Sequence, residues 1–367
     1  MTTPLLERLK AQISVSGPIT VAEYMAACLG DRAHGYYTTA EPFGVKGDFI
    51  TAPEVSQMFG ELIGAFLVTA FQDLGDPQSV GLVELGPGRG TLMADILRMA
   101  RLRPALINAA ELHLVETSPR LREVQKNTLK KAPLMPTFHD RLAGVPDGPV
   151  LIVANEFFDA LPIHQFVKTQ DGWHERVIGL DDAGELAFGV GTARLDEKDV
   201  PKTARNAAPG TILETQPAAN AICEEIGARL SAHGGVALFI DYGYLRSAPG
   251  DTLQAVHGHA YDPVLARPGA ADLTAHVNFE ALAHAAKRAG AVAFAPLTQG
   301  DFLLKLGLLE RAGVLGSGKS PAVQDDIRAA VERLAGPERM GELFKMFAIS
   351  SHRTPISPFD RLWHPDQ

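Results

Sequence analysis

Cysteine is nearly missing: the 367 residues contain two, Cys28 and Cys223, far apart in the chain. No Cys-x-x-Cys and no Cys/His zinc spacing occurs, which excludes a disulfide framework and a thioredoxin-like redox pair. Both thiols read as small buried hydrophobes in a reducing compartment. Long apolar runs are missing too. The longest, Leu62 to Phe71, is ten residues, whereas a bilayer-spanning helix needs about 20. Glu7, Arg8 and Lys10 interrupt the amino-terminal segment, so no secretory signal is visible. There is no excess of positive charge: 34 Lys and Arg stand against 43 Asp and Glu, a formal net charge of −9. That balance argues against a life on nucleic-acid phosphates, where binding rests on Lys and Arg. These absences predict a cytoplasmic protein with no membrane insertion and no nucleic-acid partner. No internal repeat or low-complexity tail is present.

What the chain does have is 46% hydrophobic residues, enough for a sizeable core. Thr20 followed by Glu23 forms a capping box ahead of a helix from about Val21 to Leu29. Pro53 sits where a helix begins. From there Val55, Met58, Phe59, Leu62, Phe66 and Phe71 recur at helical spacing to about Leu74. From Ser79 the texture changes to short apolar strands alternating with helices. The strands are Val80 to Leu85, Leu112 to Val115, Val150 to Ala154 and Val236 to Ile240, which predicts a doubly wound parallel α/β sheet. Between Pro162 and Thr215 the pattern is a β-meander, read as an insertion. The predicted organisation is an N-terminal helical region with a cofactor-covering segment over 1–78, then a Rossmann-like domain over 79–367. That domain carries a β-rich insertion at about 163–215 and a helical and loop insertion at about 243–335.

The sharpest local feature is Val83-Glu84-Leu85-Gly86-Pro87-Gly88-Arg89-Gly90, at a strand-to-helix turn. Glycines there let the backbone approach a ligand, and the following helix presents free amides and the positive end of its dipole. The glycines fall as G-x-G-x-G, not the G-x-G-x-x-G of dinucleotide turns, and no Gly-Lys-Ser/Thr follows as in a P-loop. Preceded by an acidic residue, this version is similar to the first motif of class I S-adenosylmethionine methyltransferases. That cofactor has no pyrophosphate, so a carboxylate such as Glu84 is not repelled. Glu116 ends the next strand, where a carboxylate can accept from ribose hydroxyls. Asn155 and Glu156 end the third. Polar groups therefore converge outside the carboxyl ends of the strands, where such sheets bind ligands.

Longer strings carry a family resemblance over nearly the whole chain. They are His34-Gly35-Tyr36-Tyr37, Gly47-Asp48-Phe49-Ile50-Thr51-Ala52-Pro53-Glu54-Val55-Ser56-Gln57-Met58-Phe59-Gly60-Glu61, the Glu84 to Gly90 turn, Asn155-Glu156-Phe157-Phe158-Asp159-Ala160-Leu161-Pro162, Asp241-Tyr242-Gly243-Tyr244 and Asp272-Leu273-Thr274-Ala275-His276-Val277. The chain resembles the MidA-type class I methyltransferases, formerly a domain of unknown function. That family is related to the mitochondrial arginine methyltransferase that assists respiratory complex I assembly. The resemblance implies S-adenosylmethionine as cofactor and a protein arginine as acceptor, in a complex I-type subunit. It leaves a homodimer open.

Methyl transfer from a sulfonium is an in-line displacement, so holding donor and acceptor in line supplies much of the catalysis. An arginine acceptor is a planar cation that carboxylates can bind and orient. Candidates are Asp48, Glu54, Glu156, Asp159 and Asp241, with Glu156, Asp159 and Asp241 favoured because they follow strands at the crevice. Cofactor contacts are expected from Phe49, Thr51, Gln57, Glu84, Gly86, Gly88, Gly90, Glu116 and Asn155. His257, His259 and His276, with Asp262 and Asp272, match no zinc signature, so no metal is expected. Two rivals share the fold: a small-molecule methyltransferase and a non-catalytic S-adenosylmethionine-binding assembly factor.

Overall fold

A computed structural model of the chain describes residues 3–39 and 51–364. It divides into two compact units. One comprises Ile50–Phe158, Cys223–Gly243 and Leu282–Gln367; the other comprises Met1–Phe49, Asp159–Ile222 and Tyr244–Ala281.

The first unit is built on the strands β1 (Val80–Leu85), β2 (Ala110–Val115), β3 (Thr137–His139), β4 (Val150–Asn155), β5 (Gly235–Tyr244), β6 (Val292–Ala293) and β7 (Phe344–Ser350). Their spatial order is β3-β2-β1-β4-β5-β7-β6. The first five run parallel, and β7 lies antiparallel between β5 and β6. Val236 to Ile240 in β5 are all 0% exposed. A strand buried on both faces reads as a continuous apolar run rather than an alternating one. The chain steps from β1 outward to β3, then returns to place β4 beside β1 and continues to β5. The order therefore reverses between β1 and β4, and ligands of open α/β sheets bind outside the strand ends at such a switch. This is the doubly wound class I methyltransferase architecture that the sequence predicts.

Helix Gln57–Asp73 packs on helix Thr91–Ala100 within this unit. The approach is close: a Cβ at Gly60 would stand 2.5 Å from the Asp95 Cβ. The predicted single helix from Pro53 to Leu74 is in fact two. Ser56 leaves the helical region (φ −164°, ψ 142°) and its side chain caps the second helix by accepting from the Met58 amide. A serine followed by a strong helix former offers the chain a cap that competes with continuity. The missed elements are short ones, including helix Pro104–Ala109, strand β3 and the hairpin of Gln254–His257 with Ala260–Asp262.

The second unit holds the β-meander. Strands His164–Thr169, Gly172–Leu180, Leu186–Arg194 and Ile212–Thr215 form one antiparallel sheet, joined by Ile19–Thr20. The capping box is present: the Glu23 amide donates to Thr20 Oγ1 at 3.1 Å and the Thr20 amide donates to Glu23 Oε2 at 2.7 Å. Helices Pro4–Ser16 and Val21–Gly30 bury Leu5, Leu9, Tyr24 and Met25 in a core with Ile163 and Ile178 of the meander. Residues 3–39 thus group with the insertion, whereas the helix from Gln57 belongs with the parallel sheet. Residues 1–78, read from the sequence as one region, are shared between the two units.

Candidate functional site

All three glycines of the turn after β1 take left-handed backbone, with φ of 61°, 52° and 79° at Gly86, Gly88 and Gly90. Side chains rarely accept such angles, and at Gly86 a Cβ would also stand 2.8 Å from the Phe157 ring. Gly86 is itself exposed. Gly90 is the N-cap of helix Thr91–Ala100 and supplies no side-chain cap. The first amides of that helix therefore have no side-chain cap, the arrangement found where helix starts bind ligands.

Glu84, near the end of β1, is 2% exposed, and its Oε2 has no hydrogen-bond partner among the described residues. Burial pushes its carboxyl up to about 8. An orphaned buried carboxyl oxygen is rare in native structures. Glu116 follows β2 and is 8% exposed. Its Oε1 accepts from the Ser118 amide at 2.7 Å and its Oε2 from Gln125 Nε2 at 3.1 Å. Burial raises its pKa, against the lowering effect of those hydrogen bonds. Gln125, fully buried, also donates to the Gly88 carbonyl at 2.8 Å, while its own Oε1 has no partner among the described residues. Sequence reasoning passed over Gln125. Its one signal is position, two helical turns into the helix that begins just after Glu116.

At the end of β4, Asn155 Nδ2 donates to Glu156 Oε1 at 3.0 Å, and Asn155 Oδ1 is buried without a partner among the described residues. Glu156 sits at φ 49°, a left-handed conformation for a non-glycine residue, with its amide held by the Ile240 carbonyl at 2.8 Å. Such strain tends to persist where surrounding structure over-determines it, and it clusters at functional sites. Asp241 is fully buried; its Oδ2 accepts from the amides of Phe157 at 3.2 Å and Phe158 at 2.9 Å. It therefore braces the turn that carries Glu156 and Phe157.

Glu84, the glycine turn, Glu116, Asn155, Glu156 and Asp241 all lie in the parallel-sheet unit. Asp159 lies in the other, where its carbonyl accepts from the Ala275 amide at 2.9 Å. There Tyr37 donates to Asp272 Oδ1 at 3.1 Å. Burial, then the charges of Asp272 and Asp159, raise the Tyr37 phenol well above its ordinary value. Thr51 occupies the N-cap of helix Ala52–Val55 but makes no side-chain capping bond. Gln57 is exposed, with its amide 3.4 Å from Glu61 Oε1. Phe49 and Asp48 fall outside the described residues. Among the described residues no cluster of three or more His, Cys, Asp or Glu could hold a metal, and no helix is long and apolar enough to cross a membrane.

The residues fit the expected cofactor. A left-handed glycine turn with an uncapped helix start, an orphaned buried carboxyl on one side and a buried carboxylate on the next strand suit a ligand with an amino-acid end and a ribose. Comparison with known proteins agrees. Residues 62–297 match the model of a family described as "Putative S-adenosyl-L-methionine-dependent methyltransferase". The mouse (Mus musculus) "Protein arginine methyltransferase NDUFAF7, mitochondrial" is 38% identical, covering 96% of this chain and 85% of its own. The human (Homo sapiens) protein of the same name is 38% identical over 96% of this chain and 84% of its own. A crystal structure from Burkholderia thailandensis, described as a methyl-transferase candidate bound to S-adenosyl-homocysteine, superposes with a TM-score of 0.83. It has 27% identity and 98% of each chain covered.

These names overturn the expected cytoplasmic location, since the mouse and human relatives are called mitochondrial. Neither two isolated cysteines nor an acidic balance separates the cytosol from the mitochondrion. The cofactor is S-adenosylmethionine, and the chain belongs to this family of S-adenosylmethionine-dependent methyltransferases.

Proposed function

We propose that this enzyme methylates arginine in a protein and that the acceptor is a subunit of a complex I-type respiratory assembly. The observation that carries the reading is near-full-length similarity, 38% over 96% of the chain, to a protein named an arginine methyltransferase. The carboxylates of the site support it. S-adenosylmethionine supplies, when bound, an electrophilic methyl group on a sulfonium.

The chain's own residues do the rest. Glu84, Gly86, Gly88, Gly90, Glu116 and Asn155 bind the cofactor, and Gln125 holds the carboxylate of Glu116 toward Gly88. Glu156 binds the planar guanidinium and orients one nitrogen, since a carboxylate matches that fork bidentately. As the nitrogen gains a carbon it must lose a proton, and Glu156 accepts it. Asp241 is a positioning residue acting through the amides of Phe157 and Phe158. Asp159 is a positioning residue in its own unit, beside Tyr37 and Asp272.

The test uses the purified chain, radiolabelled S-adenosylmethionine and a lysate from cells lacking this gene. Label should enter protein and be recovered after hydrolysis as methylarginine. Label found only in small molecules would sink the reading and favour a small-molecule acceptor.

A further inference from the structure

The four-residue helix Ala52–Val55 touches both sides of the switch point. Glu54 Oε1 accepts from Thr91 Oγ1 at 2.7 Å. Its other oxygen, Oε2, stands 3.7 Å from Arg89 Nη1. Arg89 and Thr91 flank Gly90, the left-handed N-cap that provides no side chain of its own. At the other end of the same short helix, the Ala52 amide lies 3.4 Å from Glu156 Oε1, a long hydrogen bond. Ala52 is 0% exposed, so the strut is packed in place.

The chemistry of this arrangement is specific. A helix that keeps its first amides for a ligand cannot use an ordinary N-cap, because a Ser or Asp side chain there would occupy them. Its start must be held from outside. A carboxylate that grips the side chains before and after the N-cap does that while leaving the amides open, and its negative charge is favourable near the positive end of the dipole. Arg89 partly offsets that charge, which matters because the amino-acid end of the cofactor brings a carboxylate of its own.

From this geometry we infer that Glu54 is a positioning residue for the cofactor turn. Through it, helix Ala52–Val55 presets the Gly86–Gly90 bend and couples it to Glu156. The inference rests on the cofactor assignment and not on the identity of the acceptor. Sequence reasoning weighed Glu54 as a carboxylate for the acceptor; its bonds commit it to the turn instead.

The test measures S-adenosylhomocysteine binding by calorimetry, and amide exchange across 86–94 in the free protein, for wild type, E54A, E54Q and T91V. Loss of one charge-assisted hydrogen bond predicts that E54A binds about tenfold more weakly, with faster exchange across 86–94. E54Q keeps an acceptor for Thr91 and should lose less affinity than E54A. T91V removes the same bond from the other side and should resemble E54A, which keeps the test decisive if E54A folds poorly. E54A binding like wild type with unchanged exchange overturns the inference. So does E54Q binding as weakly as E54A. If wild type itself fails to bind S-adenosylhomocysteine, the cofactor assignment falls, and the inference falls with it.

Discussion

Gln125 and Glu116 share a buried hydrogen bond of 3.1 Å, and the same Gln125 amide reaches back 2.8 Å to the Gly88 carbonyl. One side chain thereby fixes the distance between the glycine turn and the carboxylate at the end of β2. Gln125→Ala removes both bonds and leaves two acceptors unsatisfied, a loss of about 1–3 kcal/mol. The expected outcome is S-adenosylhomocysteine binding weaker by about tenfold or more, measured by calorimetry, with the fold retained.

Glu84 makes stability depend on pH in a predictable direction. Its folded-state pKa is raised to about 8 by burial, so the native state holds a proton that the unfolded chain releases above about 4.5. Its contribution is fully present below the unfolded value and is lost as pH rises through the folded one. The lost stability is on the order of 5 kcal/mol between roughly pH 4.5 and 8. Thermal unfolding of the ligand-free protein should show this slope, and Glu84→Gln should flatten it. An unchanged slope in that variant would show that Glu84 does not hold the proton.

Glu61 and Arg311 lie 250 positions apart and form a two-pronged ion pair, with Arg311 Nε and Nη2 at 2.7 and 3.0 Å from the carboxylate. Glu61 is 2% exposed and also meets Arg98 Nη1 at 3.3 Å. Removing Arg311 alone leaves a buried charge short of its main partner. Arg311→Met should therefore destabilise by about 2–4 kcal/mol in denaturant titration, and the double variant Glu61→Leu with Arg311→Met should recover part of that.

Asp241→Ala strands the amides of Phe157 and Phe158, which Asp241 Oδ2 accepts at 3.2 and 2.9 Å. The expected loss is about 2–4 kcal/mol of stability, read by denaturant titration. Asp241→Asn keeps one acceptor and should lose less. Equal losses in the two variants would contradict a role confined to bracing the turn.

Much of this site was readable from the residues because its signals are local. Glycines at 86, 88 and 90 announce a turn, and carboxylates at strand ends aim at one rim wherever the strands run parallel. What escaped reading depends on partners distant in sequence. The bond between Thr91 and Glu54 and the pair of Glu61 with Arg311 exist only because helices 37 and 250 residues apart are folded together. Asp241 shows the same limit from the other direction. Its place after a strong strand suggested a rim carboxylate, whereas the turn at Phe157 and Phe158 folds its amides onto it. The break at Ser56 was hidden by an apolar stripe that runs on through it, because periodicity reports the buried face and not the continuity of the backbone.

The bend after β1 carries the cofactor assignment. Gly86 has φ 61°, and an added Cβ there would meet the Phe157 ring at 2.8 Å. Calorimetry with S-adenosylhomocysteine should show one saturable site per chain in wild type, and Gly86→Ala should weaken it by about tenfold to a hundredfold through backbone strain of about 1–3 kcal/mol. Wild-type affinity in Gly86→Ala, or heat of binding that persists when Gly86, Gly88 and Gly90 are all replaced, would contradict it.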